Sequence, residues 1–343
     1  MDIGKHMNTK TNQSRVSWID MAKGYGTILV ILAHIGSGLG RLWIYTFHMP
    51  LFFFLSGYVF STKYEFREFV GKKVKTLIVP YFCLGIPMVL YETFVTQGVK
   101  ADTLGVFFGL VWDLIWQRRL WTLWYIGVLF FLNILFYFLV KKFKNERALG
   151  MISVVGPILG LIYYGLGGGY LPWNIDVCVM ALPFFYAGYF MKNHAVRIEG
   201  ALNTKWKKGA LFVSMLALNL VFGSLSVDDS LTGLEMFYSK YGSNPIFTYI
   251  AAFAGIVCMV IVAKAFSCRA ICYLGENTML YYAWHQTIMM PVVENLMRMC
   301  GLTRLVEKGT MWYNLVWLLG ILLITTVLIW IMKKLGLKFM LGK

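Results

Sequence analysis

The chain has 343 residues, of which 59% are hydrophobic and only 14% are charged. Because soluble domains average about 25% charged residues, this composition excludes an ordinary soluble protein and indicates a polytopic membrane protein. The net charge of +16 does not indicate nucleic-acid binding, since no polar segment is long enough to form a basic soluble module. The positive charge instead fits the cytoplasmic loops of a membrane protein.

The predicted elements are about ten apolar spans, each near the 20 residues that a transmembrane helix needs. They lie near residues 18–37, 43–61, 77–96, 121–140, 149–166, 175–191, 208–225, 245–266, 272–291 and 312–332. A further apolar stretch, Leu104 to Trp116, is too short to cross and is predicted to be interfacial or re-entrant. The predicted fold is an all-α transmembrane bundle of about ten helices. It is formed by residues 18–333, between terminal tails at 1–17 and 334–343.

The distribution of Lys and Arg predicts the orientation of these spans. If the N-terminus is cytoplasmic, most Lys and Arg residues fall in cytoplasmic segments, and the bias repeats from loop to loop. Positive residues accumulate on the cytoplasmic side of membrane proteins, so both termini are predicted to be cytoplasmic. We therefore expect a multi-pass protein. The expected location is the cell membrane of a bacterium.

The first two spans contain four ionisable residues, Asp20, Lys23, His34 and His48. Such residues are costly inside a membrane and by default indicate a functional site. On a helix, Asp20, Lys23 and His34 share an arc of about 60°, with about 16 Å of rise between Lys23 and His34. This polar stripe is predicted to be catalytic. The alternative is an interfacial ion pair with a structural histidine at the outer end of the helix.

A third membrane histidine, His285, follows the sequence Y-L-G-E-N-T-M-L-Y-Y-A-W. Counting from the start of each span places His34, His48 and His285 at similar depths in the outer half of the membrane. Three histidines could bind a metal, but no carboxylates that would support them are evident. Because proton transfer near neutral pH needs only one imidazole, we predict acid–base catalysis or substrate hydrogen bonding without a metal.

A basic segment between the second and third spans is a candidate binding site for an anionic donor at the cytoplasmic face. Its charged groups suit phosphate recognition, although cytoplasmic topology alone also explains them. The candidate donor-binding residues are Arg67, Lys72, Lys73, Lys75 and Tyr81.

A second candidate surface lies on the outer side, where the sequence reads R-R-L-W-T-L-W-Y from position 118. An ordinary aromatic belt at the membrane interface is one interpretation. The other is a platform for a sugar or anionic acceptor. The candidate acceptor-binding residues are Arg118, Trp121, Trp124 and Tyr125, together with Tyr282 of a later span.

These motifs resemble the acyltransferase 3 family of integral membrane acyltransferases, and within it the fucose 4-O-acetylase-like subgroup. The resemblance rests on D-M-A-K-G at 20–24, His34, F-H-M-P-L-F-F-F-L-S-G-Y at 47–58, K-T-L-I-V-P-Y at 75–81, L-W-Y at 123–125 and L-G-E-N-T-M-L-Y-Y-A-W-H at 274–285. The family's pattern of a basic residue followed by a histidine maps onto Lys23 and His34, although many members have Arg at the first position. His48 corresponds only to the F-H-M-P subgroup.

The resemblance implies transfer of an acyl group, usually from acetyl-CoA in the cytoplasm, to a hydroxyl of an extracytoplasmic or lipid-linked carbohydrate. In this hypothesis His34 is the general base or, as the alternative, a transient acyl carrier, while Lys23 and Asp20 order the channel on the donor side. His48 and His285 orient the acceptor or stabilise the oxyanion. The expected partners are acyl-CoA, the glycan acceptor and the lipid bilayer, with a homo-oligomer as a further option.

Two other functions explain the same buried polar groups. The first alternative is a transporter or exporter of a small polar molecule, which would use the polar residues to line a pathway. The second is a structural partner in polysaccharide assembly, for which all three membrane histidines would be replaceable.

Overall fold

The computed structural model describes residues 17–36, 39–227, 234–302 and 310–343, and these ranges are almost entirely helical. The first half contains α1 (Ser17–Ile35), α2 (Leu39–Tyr45), α3 (His48–Tyr58), α4 (Phe66–Lys73), α5 (Val79–Tyr91), α6 (Thr103–Trp116), α7 (Trp124–Lys142) and α8 (Glu146–Gly165). The second half contains α9 (Ile175–Asn193), α10 (Ala195–Ala201), α11 (Lys205–Leu225), α12 (Pro245–Ala265), α13 (Arg269–Glu276), α14 (Thr278–Trp284), α15 (Met290–Met299) and α16 (Met311–Lys334). Between α11 and α12, β1 (Leu234–Glu235) and β2 (Lys240–Tyr241) pair antiparallel as a short hairpin.

Among the described residues, seven helices are long and apolar enough to cross a membrane. They are Phe66–Thr96, Thr103–Lys142, Glu146–Gly165, Pro172–Asn193, Lys205–Leu225, Pro245–Ala265 and Met311–Lys334. The second of these ranges comprises α6, the connection after it and α7. An all-α polytopic bundle is thereby confirmed. The count of about ten spans and the cytoplasmic position of the termini stay predictions. The seven helices do not include α1, which carries the polar stripe, or the interrupted pairs α2–α3 and α13–α14.

The predicted second span is two helices rather than one. α2 ends at Tyr45 and α3 begins at His48, after a turn at residues 46–47. Pro50 lies in the first turn of α3, where the missing backbone N–H has no helical partner to lose. His48 therefore lies at the start of a helix and not inside a continuous one.

The basic segment between the second and third predicted spans is also helical. α4 continues through a π-helical turn, Val74–Ile78, into α5 without an interruption. The basic residues from Arg67 to Lys75 are consequently displayed on one rigid helix at the end of the bundle.

Helix α1 lies at the centre of the bundle, in contact with α2, α3, α12, α13, α14 and α16. Its crossing with α13 is close because glycines lie at the contact. A Cβ atom at Gly275 would lie 1.8 Å from the carbonyl oxygen of Asp20, and one at Gly24 would lie 2.1 Å from that of Ile271. Small residues allow such close approach of helix backbones. The crossing fixes the height of α1 relative to the segment that carries His285.

Candidate active site

The three membrane histidines lie in one cluster. The rings of His34 and His285 are 4.8 Å apart between centroids and nearly perpendicular. The ring of Tyr45 lies between His34 and His48. Its centroid is 6.2 Å from that of His34 and 4.9 Å from that of His48. Three separate helical segments therefore bring the imidazoles together, at the similar depth that counting along the spans predicted.

The hydrogen bonds of these histidines determine which ring nitrogen carries the proton. Nδ1 lies 2.8 Å from the Val30 carbonyl oxygen in His34 and 3.0 Å from that of Ile44 in His48. In His285 it lies 2.8 Å from the carbonyl oxygen of Tyr282. Because a carbonyl oxygen only accepts, each Nδ1 donates, and in each neutral ring Nε2 holds the lone pair.

This arrangement has a chemical consequence. A neutral ring protonated at Nδ1 accepts a proton or hydrogen bond at Nε2 but has no donor left for an oxyanion. The structure therefore favours His34 as a base. It favours hydrogen-bond acceptance over oxyanion stabilisation for His48 and His285.

Two of the histidines line a cavity of about 430 Å³, a size typical of small-molecule sites. His34 and His48 contribute to its wall, together with side chains from the α6–α7 connection, the hairpin and α14. The polar and aromatic residues of the wall include Arg41, Tyr45, Arg119, Trp121, Thr122, Trp124, Glu235, Phe237, Tyr238, Tyr282 and Gln286. Such a mixture of aromatic faces and hydrogen-bonding groups suits a polyhydroxylated ligand.

His285 lies behind this wall. It is fully buried, and its Nε2 has no hydrogen-bond partner among the described residues. It begins a π-helical turn, His285–Met289, and such turns often occur at functional sites. The next residue, Gln286, lines the cavity. Its side-chain amide provides a neutral donor next to the histidine cluster.

The part of the polar stripe that contains Asp20 and Lys23 lies outside this cavity. Asp20 is buried in α1, and Lys23 is half-buried. Thr27 donates a hydrogen bond to the carbonyl oxygen of Lys23 at 2.8 Å. Lys73, half-buried at the end of α4, is close enough to Lys23 for their charges to interact. The stripe therefore joins the basic helix at one end and the histidine cluster at the other.

The predicted donor-binding residues occupy different environments. Arg67 and Lys75 are exposed. Lys72 forms a surface ion pair with Glu68 at 2.7 Å, one helical turn away. Lys73 lies near the polar stripe, close to Lys23.

Tyr81 does not lie with these basic residues. It is fully buried, and its hydroxyl donates to the Leu114 carbonyl oxygen at 2.6 Å and accepts from Gln117 Nε2 at 2.9 Å. The Gln117 side chain in turn accepts a hydrogen bond from the Leu120 amide at 2.8 Å. Tyr81 thus supports the connection between α6 and α7, and this geometry does not favour the predicted contact with a donor.

Three of the predicted acceptor-binding residues, Trp121, Trp124 and Tyr282, line the cavity. Tyr125 lies behind them, with its hydroxyl 3.3 Å from Ser56 Oγ and its ring centroid 5.3 Å from that of Tyr282. Arg118 is exposed and lies outside the cavity lining.

Arg119, the next residue, lies in the cavity wall, where Arg118 was predicted to lie. Arg119 lines the cavity and forms a salt bridge with Asp176, and the side chains are 7% and 2% exposed. Asp176 also accepts hydrogen bonds from Tyr164 and, at 3.0 Å, from Ser239. Asp176 is an acid inside an apolar span, so the rule that identified Asp20 could have identified it too.

The backbone around this ion pair is strained. All six non-glycine residues of the described ranges with positive φ occur here: Gln117, Arg119, Trp121, Trp173, Asn174 and Ser239. They belong to the α6–α7 connection, the turn before α9 and the hairpin. A residue held in this conformation costs on the order of 1–3 kcal/mol and persists where surrounding contacts fix it, often at functional sites.

The fold and the cavity together define a class of helical membrane proteins with an internal site lined by histidines. Comparison with family models is more specific. The model of acyltransferase 3, described as an acyltransferase domain, matches residues 16–334. Because this match covers nearly the whole chain, the protein belongs to the acyltransferase 3 family and is a multi-pass membrane acyltransferase. Neither the curated proteins nor the solved structures that were searched gave a match.

Membership of the acyltransferase 3 family confirms the family predicted from the motifs. The fucose 4-O-acetylase-like subgroup stays a prediction, as do the roles of the individual site residues and the absence of a metal.

Proposed function

We propose that the protein is an O-acetyltransferase that moves an acetyl group from cytoplasmic acetyl-CoA to a hydroxyl of an extracytoplasmic or lipid-linked carbohydrate. The observation that carries this proposal is the position of His34. It lines a polar and aromatic cavity, and its Nδ1 hydrogen bond leaves Nε2 as the basic nitrogen. The proposed location is the cell membrane of a bacterium.

The proposed reaction is a direct transfer. Nε2 of His34 takes the proton of the acceptor hydroxyl while its oxygen attacks the thioester carbonyl carbon. This attack forms the new C–O bond and gives a tetrahedral intermediate with an oxyanion. The C–S bond then breaks, and the thiolate of CoA takes the proton back from His34. Gln286, a neutral amide donor on the cavity wall, stabilises the oxyanion.

The donor and acceptor reach this histidine from opposite sides. Lys73 and Lys75 present positive charge to the phosphates of acetyl-CoA at the end of the bundle, and Lys23 continues this charge into α1. The stripe from Lys23 to His34 spans about 16 Å along the helix axis. The extended arm of CoA bridges that distance and delivers the thioester to the cluster.

A carbohydrate acceptor is supported by the lining of the cavity. Trp121, Trp124 and Tyr282 offer flat apolar faces on which a sugar ring can pack, and the polar groups beside them can bind its hydroxyls. The segments that line the cavity near α2, before α7 and in the hairpin all lie on the side that the charge bias predicts to be extracytoplasmic.

The test is acetyl transfer in membrane vesicles that contain the full chain, supplied with radiolabelled acetyl-CoA on the cytoplasmic face. Label should enter the glycan fraction, and His34→Ala should reduce the rate by about a hundredfold or more, as expected for loss of a general base. The matched control is His194→Ala, a surface histidine paired with Glu146 at 2.8 Å. An unchanged rate in His34→Ala would reject the assignment, and absence of label in the wild type would reject the reaction.

A further inference from the structure

The side chain of Arg119 is fixed by several hydrogen bonds in the wall of the cavity. Beyond its salt bridge with Asp176, it donates to Ser239 Oγ at 2.8 Å and to the Tyr164 hydroxyl and the Met236 carbonyl oxygen at 3.4 Å each. Its guanidinium carbon also lies 4.4 Å from the centroid of the Tyr170 ring. These contacts orient the planar guanidinium before any ligand arrives.

One nitrogen of this guanidinium has no acceptor in the described part of the chain. Nε of Arg119 is buried and has no hydrogen-bond partner among the described residues. A buried donor without an acceptor is unfavourable, so a ligand that supplied an acceptor atom to this nitrogen would gain binding energy. Arg119 lines the same cavity as His34 and His48.

The charges around the cavity indicate what kind of ligand this is. Apart from the histidines, the charged residues of the described chain that line the cavity are Arg41, Arg119 and Glu235. Asp176 pairs with Arg119 from behind the wall. Two positive groups are therefore balanced by two negative groups, which leaves no net positive charge to attract an anionic acceptor.

We propose that Arg119, positioned by Asp176, Tyr164 and Ser239, anchors the acceptor through an oxygen atom and that the acceptor is an uncharged, polyhydroxylated molecule. This inference rests on the proposed function and specifies its substrate class. Asp176 has two roles, because it orients the guanidinium and cancels its charge. A hydroxyl or ring oxygen of the acceptor accepts the hydrogen bond from Nε.

The experiment compares a neutral probe, a methyl hexopyranoside, with its charged counterpart, the corresponding methyl hexuronide. Binding to the purified full chain is measured through the fluorescence of the cavity tryptophans, Trp121 and Trp124, and acetyl transfer to each probe is measured in parallel. The wild type should bind the hexoside more tightly than the hexuronide. Arg119→Lys, which lacks the planar fork, should weaken hexoside binding at least about tenfold, as for a lost charge-assisted hydrogen bond.

Asp176→Asn provides the sharper test, because it removes one negative charge and leaves the cavity with a net positive charge. The preference should then shift from the hexoside toward the hexuronide. Tyr164→Phe, a milder change, should weaken hexoside binding and leave the charge preference as it is. These variants should leave the affinity for acetyl-CoA within about twofold of the wild type, since the phosphates of the donor are proposed to bind at the other end of the bundle. Arg147→Lys, an exposed arginine on α8, is the matched control.

Unchanged hexoside binding in Arg119→Lys would overturn the anchor. A wild type that prefers the hexuronide, or an Asp176→Asn variant with an unaltered preference, would overturn the uncharged acceptor. Equal losses of acetyl-CoA and hexoside binding would mean that the network only supports the fold. Failure of the proposed function has a different signature, since hexoside binding would persist while no acetyl group is transferred.

Discussion

Substitution of His285 can separate a role in catalysis from a role in packing, because its effects on stability and on activity are expected to differ. In His285→Phe the ring contact with His34 is kept, while both ring nitrogens are removed. Loss of the Nδ1 hydrogen bond removes a buried partner of the Tyr282 carbonyl oxygen, which costs about 1–3 kcal/mol. Removal of the buried Nε2, which has no partner among the described residues, recovers a similar amount, again about 1–3 kcal/mol.

The two contributions offset each other, so the thermal stability of His285→Phe should stay close to that of the wild type. His285→Ala is different, because it leaves a cavity in a closely packed region and should cost about 2–5 kcal/mol. If the Nε2 lone pair of His285 takes part in the reaction, His285→Phe should still lose about a hundredfold or more in acetyl transfer.

The assay is thermal unfolding of the purified protein in lipid nanodiscs, together with label transfer from radiolabelled acetyl-CoA in vesicles. A stable His285→Phe variant with full activity would refute the participation of His285 and reduce it to a packing residue. Loss of activity in proportion to loss of folded protein would refute the offsetting of the two hydrogen-bond effects.

Three further predictions concern the donor side and the frame of the site. Gly275→Ala should destabilise the protein by about 1–3 kcal/mol or more in thermal unfolding, because the added methyl group meets backbone rather than a movable side chain. Lys73→Ala should raise the KM for acetyl-CoA roughly tenfold with little change in kcat, as expected for a lost contact between a cation and a phosphate, whereas the exposed Lys144→Ala should leave both unchanged. Tyr81→Phe should lower stability by about 1–3 kcal/mol through the unpaired Leu114 carbonyl oxygen, and an increased KM for acetyl-CoA without that loss would show instead that Tyr81 binds the donor.

The positions of the helices could be predicted from the sequence because apolar length is a local property of the chain. The interruptions within the predicted spans could not be predicted from the sequence. The break before His48 and the π-helical turn at His285 lie inside apolar runs. Whether such a run continues as a helix depends on partners elsewhere in the fold that satisfy the freed backbone groups.

The histidine cluster was accessible to sequence reasoning because ionisable residues are rare in apolar spans. The sequence did not indicate which of Arg118 and Arg119 lines the cavity. The two residues are adjacent, and the segment that contains them has a left-handed residue at Arg119. No helical or strand period therefore indicates which side chain points inward. Glu235 gave no signal either, because it belongs to a hairpin whose position depends on contacts with distant segments, among them Arg119, Asp176 and Thr248.

The interruptions and the cavity are connected by one physical requirement. In hydrocarbon, backbone groups that leave a regular helix are tolerated only where protein surrounds them or where they line a polar cavity. His48 begins a helix, His285 begins a π-helical turn and Arg119 lies in a left-handed segment. Regular helices would display such side chains along separate axes, whereas broken ones can direct them toward a single volume. α1 is the exception that completes the site, since its unbroken course carries polar groups from the basic helix at one end to the cavity at the other. The proposed transfer from one side of the membrane to the other would use both features, the continuous polar stripe for the donor and the converging interrupted segments for the acceptor.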